Sequence, residues 1–329
     1  LRYLAGIGHR DAILVDAAAI GVADTVRGLL DDDWLLAPKA KRPKLPGFAD
    51  PASLPTPSRD GVALDADAVH ALLERLAVST PDAVHPAVVE ARAILDPATR
   101  AAFAWALFEA WMAAGADPKQ SWAMMAVGFL GGDAEIRQLA ALARDWPGNK
   151  ASARAQLALD ALLVAGSETA LVQIDLLAER SKYPAFKAAA ADRIALLADI
   201  RGLTVDALQD RLVPRLGLDD DQRGGAVSLD FGGRTFAVRF DEHLKPVLYG
   251  EDGKLRKALP KPGKGYDPAL AKAAKARLTG LKKDAASVAS VLLARLERTM
   301  VTGREIAADV FLEHMVGHPL VVHLARRLV

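Results

Sequence analysis

Glycines at positions 131, 166 and 202 mark off two nearly equal intervals in the middle of this chain, 35 and 36 residues long. Each closes a run with apolar residues at helical spacing, and glycine is favoured just past a helix because it takes up left-handed backbone cheaply. Each interval has room for two helical segments: Asp133–Trp146 with Asn149–Ala165, then Ser167–Lys182 with Pro184–Arg201. A two-helix unit recurring at this length predicts an α-solenoid of the HEAT kind. One unit cannot bury its apolar face alone, so the stack shares a continuous core. Successive helices are expected from Leu64 to Gly202, one of them started by Asp117–Pro118, since proline suits the first helical position. Phe103, Trp105, Phe108, Trp111 and Met112, then Trp122, Met124, Met125 and Phe129, fall at helical spacing and read as core. The alternative for them is a groove for a partner helix, because Met and Trp are also enriched at interfaces.

Upstream, His9 to Leu30 has a helical pattern weakened at Gly21, followed by a proline-rich stretch from Asp31 to Asp60 that reads as a surface loop or linker. Its Lys39, Lys41, Arg42 and Lys44 read as solvated loop charge, or else as a docking site for an acidic partner. Downstream, Leu203–Leu218 predicts a short helix with Thr204 as N-cap. The period then changes. Val227, Leu229 and Phe231, and then Phe236, Val238 and Phe240, alternate with other residues about Gly232–Gly233, which predicts a hairpin. Leu244–Tyr249 and Lys254–Ala258 continue it as a meander. Its apolar face needs a cover, and a long helix from about Pro268 to Met300 is the nearest candidate. Thr302 and Glu305 have the spacing of a capping box for a further helix, and Leu320–Val329 begins one more. The expected architecture is mainly α: residues 1–60 an N-terminal helix and linker, 61–218 HEAT-like repeats, and 219–329 a β-meander packed with a long helix and C-terminal helices.

Composition narrows the function classes. A chain of 329 residues folds as about two domains and buries roughly three-quarters of its surface. Net charge is +1 and cysteine is absent, so a disulfide framework and any thiolate metal site are excluded; a reducing, cytoplasmic setting is expected. The longest apolar run, Ala101–Ala116, is interrupted by Glu109 and falls short of the ~20 residues of a membrane span, so no membrane partner is expected. The chain opens at Leu1 without Met and stops inside a helical pattern at Val329, as a piece of a longer protein would.

Catalytic signatures are absent: no G-x-x-x-x-G-K-[ST], no G-x-G-x-x-G after a strand, no G-x-S-x-G and no H-E-x-x-H. Gly263-Lys264-Gly265 is too short to cradle a phosphate, and the Asp triplets at 31–33 and 219–221 lack the alternating ligands of a calcium loop. Among metal candidates His314 and His318 stand first, four residues apart and with His323 nearby, which on a helix would place 314 and 318 on one face. Pro319 breaks that helix, however, so a capping or core hydrogen bond is the preferred role for His318. No catalytic residue, metal or cofactor is assigned.

The richest charge signal lies between residues 254 and 283. Lys254, Arg256, Lys257, Lys261, Lys264, Lys272, Lys275, Arg277, Lys282 and Lys283 face a single acid, Asp267, in a chain that is otherwise nearly neutral. Such a stripe is ordinarily a solvated helix face; at this density it also suits an acidic protein or a nucleic-acid backbone. Only Tyr249 and Tyr266 lie nearby, too few for base stacking.

The runs RGLTVDALQDRLVPRLGLD and LDFGGRTFAVRFDEHLKPVLYGEDGKLRKALPKPG resemble the MolR-type bacterial domain of unknown function, which often travels with a WGR module. So do FEAWMAAGADPKQSWAMMAVGFLGGD, LKKDAASVASVLLARLERTMVTGREI and HPLVVHLARRLV, and the resemblance covers about residues 98–329. It implies no catalytic residues. Its usual company, MoxR-class ATPases and von Willebrand A-type proteins, implies a multi-protein assembly. The expected function is a non-enzymatic scaffold or adaptor holding an acidic protein partner on the basic segment, with nucleic-acid backbone binding as the alternative; the oligomeric state is left open.

Overall fold

A computed structural model describes residues 10–19, 22–24, 41–218, 225–261 and 266–326. The chain divides into two compact units, Leu1–Leu197 and Ala198–Val329, and the fold is mainly α with a HEAT-like helical stack and a small antiparallel sheet.

In the first unit, α1 (Arg10–Ala19) precedes a short ribbon of β1 (Ser58–Arg59) and β2 (Val62–Ala63). Then come α2 (Ala66–Val78), α3 (Pro86–Ile94), α4 (Pro97–Ala113), α5 (Trp122–Leu130), α6 (Asp133–Asp145), α7 (Ser152–Ala165), α8 (Glu168–Arg180) and α9 (Pro184–Ile200). The ribbon lies outside what alternation predicts, because its pairs are two residues long. It is tied instead by Asp96 at the start of α4, whose carboxylate accepts from Ser58 Oγ (2.5 Å), Gly61 N (3.0 Å) and Asp60 N (3.1 Å). These donors, Ser58 foremost, hold the Asp96 carboxyl below its ordinary value.

All nine residues of α5 are buried. A helix apolar on every side belongs at the centre, and α5 contacts α2, α3, α4, α6 and α7. Gly128 is the point of closest approach: a methyl added there would lie 2.4 Å from the Ala161 carbonyl oxygen of α7. The repeats follow, with α8 packed on both α6 and α7, as stacked two-helix units must be. Arg100 Nη1 donates to Leu130 O (3.2 Å) and Arg92 Nη2 to Ala165 O (2.7 Å). Two guanidiniums thus satisfy terminal carbonyls of α5 and α7 and sit at the negative ends of both helices. Burial lowers the pKa of each, and Arg100 lowers that of Arg92 further.

The aromatic residues read as core are mostly inside. Phe103, Phe108, Trp111, Trp122, Met124, Met125 and Phe129 are buried, while Trp105 and Met112 are half-buried. Phe108 packs against Trp105, Trp111 and Trp146, and the Arg154 guanidinium lies over both Trp111 and Trp146. Gly166 and Gly202 take the left-handed conformation expected of them (φ 61° and 62°). Gly131 also ends a helix, but in extended geometry (φ −63°, ψ 157°). Its requirement is steric instead, since a Cβ there would lie 2.4 Å from the Val127 carbonyl oxygen.

The second unit begins in the last turn of α9 and continues through α10 (Val205–Arg211), N-capped by Thr204 as expected. A four-stranded antiparallel meander follows in the order β3 (Val227–Asp230), β4 (Thr235–Phe240), β5 (Pro246–Tyr249) and β6 (Leu255–Arg256). The register pairs Val227 with Val238, Leu229 with Phe236 and Val238 with Leu248, so the apolar residues share one face. The cover is α11 (Pro268–Thr302), whose Ala271, Ala274, Leu281, Ala285, Val288 and Leu292 join that face in one core. At the β3–β4 turn a Cβ on Gly232 (φ 75°) would lie 2.5 Å from the Asp267 nitrogen at the start of α11, so the hairpin tip and the helix entry are in contact only because the residue is glycine.

Beyond α11 the expected capping box does not form. Thr302 is still inside the helix, its hydroxyl donating to Arg298 O (2.9 Å), and Gly303 in left-handed geometry ends it. Among the described residues the chain then gives α12 (Ala308–Phe311), one π turn over Leu312–Val316 and α13 (Val321–Ala325).

The two helical glycines predict opposite outcomes for one substitution. Gly128→Ala is expected to lower stability in urea denaturation by about 1–3 kcal/mol, because the added methyl is forced into a neighbouring backbone. At Gly280, in α11, an added Cβ meets nothing within 4 Å. There Gly280→Ala is expected to raise stability by about 0.5–1 kcal/mol. Shifts of the same sign would contradict this packing account.

Candidate functional site

The candidate site is the outward face of α11. Asp267 caps the helix by accepting from Ala269 N (2.7 Å) and Leu270 N (3.3 Å), with Pro268 at the first position. At 100° per residue the buried stripe and Lys272, Lys275, Lys282 and Lys283 fall on nearly opposite sides of the cylinder. All four lysines are exposed. They span about 16 Å of helix. Lys272, Lys275, Ala276, Thr279, Gly280 and Lys283 border a shallow depression along this one helix that is largely open to solvent. None of the four has an ion-pair partner among the described residues.

The remaining basic positions separate by chemistry. Arg277 is half-buried, and its Nη2 donates to the carbonyl of Leu216 (3.1 Å), fastening the loop that precedes the sheet. Arg256 pairs with Asp252 (2.8 Å); the Lys254 amide, the Arg256 guanidinium and the Lys254 charge together hold that carboxyl below its ordinary value. Lys254, Lys257 and Lys261 are exposed in and around β6, on an element other than α11. Lys264 and the Asp triplets at 31–33 and 219–221 lie outside the described residues, as does Lys39. Of the cations in the proline-rich stretch, Arg42 is occupied: its Nη1 donates to the buried Glu74 (3.3 Å).

The histidines are apart in role. The chain leaves α geometry at Leu312, so the four-residue spacing does not put His314 and His318 on one helical face. His318 is buried. Its Nδ1 accepts from Leu320 N (3.1 Å) and Val321 N (3.3 Å), which leaves Nε2 to donate to Val213 O (3.0 Å). Both ring nitrogens are therefore engaged in holding the C-terminal turn to Val213, two residues past α10. His314 lies beside Glu313 (3.8 Å), and no group of three or more potential metal-binding side chains occurs among the described residues.

Sequence spacing gave no sign of a partly buried ion pair between α10 and the chain after α11. Asp210 accepts from Arg304 Nη1 (2.9 Å) and Nη2 (3.0 Å), and Asp206 is 4.0 Å from Arg304 Nε. The hydrogen bonds from Arg304 to Asp210, with that charge alongside, hold the guanidinium further into its protonated form. The adjoining cleft, lined by Gln209, Arg295, Arg298, Thr299 and Thr302 as well, has a volume of about 50 Å³. That is water-sized, against the ~300–1,000 Å³ typical of a small-molecule site. These residues act as a latch.

Residues 253–329 match a domain of unknown function (DUF4132), a span that contains the whole of α11. The chain is 37% identical over 292 residues to the "Uncharacterized protein YehI" of Escherichia coli (strain K12), covering 88% of this chain and 24% of that protein. It thus spans about a quarter of the length of the curated relative it matches. No solved structure matches it. No described helix is long and apolar enough to cross a membrane.

Asp210→Ala removes two hydrogen bonds from the Arg304 guanidinium and is expected to cost about 1–3 kcal/mol, whereas Lys272→Ala on the open face should stay within about 0.5 kcal/mol. Urea unfolding of both variants checks the contrast; equal effects would overturn the division into latch and open face.

Proposed function

We propose that this chain is a non-enzymatic scaffold or adaptor, in which the HEAT-like stack offers extended surface and the lysine face of α11 holds an acidic protein partner. The observation that carries the reading is the set of four exposed lysines on one helical face with no ion-pair partner among the described residues. Exposed helices usually offset such a stripe with acids three or four positions away. Here Asp267, engaged as the helix cap, is the only acid between residues 254 and 283. Like charges gathered without offset cost stability and favour an anionic partner. The likeness to MolR-type, WGR-associated proteins supports a place in a multi-protein assembly, with MoxR-class ATPases and von Willebrand A-type proteins as candidate members.

The second reading is binding to a nucleic-acid backbone, which lysines also suit. Base stacking adds nothing to it, because the two tyrosines near the segment are engaged within the protein. Tyr249 lies under Arg239 (5.7 Å) and Tyr266 packs edge-on against Phe231 (5.5 Å), so neither is a free stacking platform.

The test is the triple variant Lys272→Glu/Lys275→Glu/Lys283→Glu, with Arg277 left intact because it holds the Leu216 carbonyl. The variant should keep the wild-type melting temperature within a few degrees and lose at least tenfold in affinity for polyglutamate. A 20-base-pair DNA duplex should bind more weakly than polyglutamate at physiological salt. Unchanged polyglutamate affinity would contradict the proposal. Tight duplex binding with a steep salt slope would favour the rival.

A further inference from the structure

The lysine face has a shape as well as a charge. Lys272, Lys275 and Lys283 surround the shallow, solvent-open depression in which Gly280 lies. Nothing in the packing of the described residues requires that glycine: its backbone is helical and a Cβ added there would meet none of their atoms within 4 Å. Glycine inside a helix is destabilising by about 0.5–1 kcal/mol relative to alanine. At mid-helix the backbone N–H groups are already committed to intrahelical bonds, so the bare position offers no donors to a phosphate. What it offers is close van der Waals approach, the property used wherever two helices cross with backbones near each other, as at Gly128 against Ala161 in the first unit.

We propose that the occupant of this depression is an acidic amphipathic helix of a partner protein, crossing α11 over Gly280 with its carboxylates on Lys272, Lys275 and Lys283. The inference rests on the reading of α11 as an acidic-partner face and adds the partner's secondary structure and point of closest contact. Charge complementarity selects carboxylates. The uncovered glycine selects a helix over an extended polyanion, because a rigid rod gains from a notch in the opposing rod and a flexible acidic tail does not.

The probe is a pair of synthetic 20-residue peptides of identical charge. One is a glutamate–alanine–leucine helix with glutamates along one face; the other carries two central prolines that prevent helix formation. Titrated against the full chain, the helical peptide should bind at least tenfold more tightly. Gly280→Leu, which fills the notch on an exposed face and should not impair folding, is expected to weaken the helical peptide at least tenfold. Gly280→Ala should weaken it less, and neither substitution should change the weak binding of the proline peptide. Equal binding of the two peptides, or indifference to Gly280→Leu, overturns this inference while leaving a charge-only acidic partner standing. Indifference of both peptides to the Lys272→Glu/Lys275→Glu/Lys283→Glu variant overturns both readings, and preferential binding of a DNA duplex in the depression overturns this one.

Discussion

The packing of one 35-residue helix on a four-stranded meander decides what the second unit can present to the outside. Once Ala271, Ala274, Leu281, Ala285, Val288 and Leu292 are committed to the core shared with the sheet, the 3.6-residue period leaves Lys272, Lys275, Lys282 and Lys283 on the far side. Three details hold that rotation. Gly232 lets the hairpin tip meet the helix entry, Asp267 caps the first turn, and Arg277 reaches back to the Leu216 carbonyl. A rotation of the helix by one residue would carry the lysines toward the core edge and expose alanine and leucine, so the basic face and the apolar core are two sides of one constraint.

What is local in physical origin was legible in the sequence. Period-two alternation around Gly232–Gly233 gave the hairpin, and the stop signals at Gly166 and Gly202 gave the ends of helices in the repeats. Thr204 capped its helix as its position implied. What depends on a distant neighbour was not legible. Gly131 ends a helix because a side chain would strike the Val127 carbonyl, which spacing cannot distinguish from a left-handed cap. The Thr302/Glu305 pair has the spacing of a capping box, yet α11 runs through Thr302 and ends at Gly303. The β1–β2 ribbon owes its place to Asp96, more than thirty residues further along.

The same distinction runs through the charges. A sequence shows where cations are and not which ones are spoken for. Several arginines are engaged within the protein: Arg92 and Arg100 on helix ends, Arg193 on Asp160, Arg256 on Asp252, Arg277 on a loop carbonyl and Arg304 on Asp210. The planar guanidinium fork suits such fixed acceptors, while the compact, strongly hydrated ammonium stays in water. The candidate surface is therefore narrower than the ten basic residues between 254 and 283 imply, and its centre is four lysines of one helix. His318 follows the same logic, its two nitrogens engaged by backbone groups rather than presented to a ligand.

The acidic partner proposed for the outward face of α11 can be located in solution. Hydrogen–deuterium exchange of the full chain with and without polyglutamate tests it most directly, since it locates binding without altering the protein. Slowed exchange confined to the span 268–283 is the predicted result. Protection that maps elsewhere, with this helix unchanged at saturating ligand, would contradict the account.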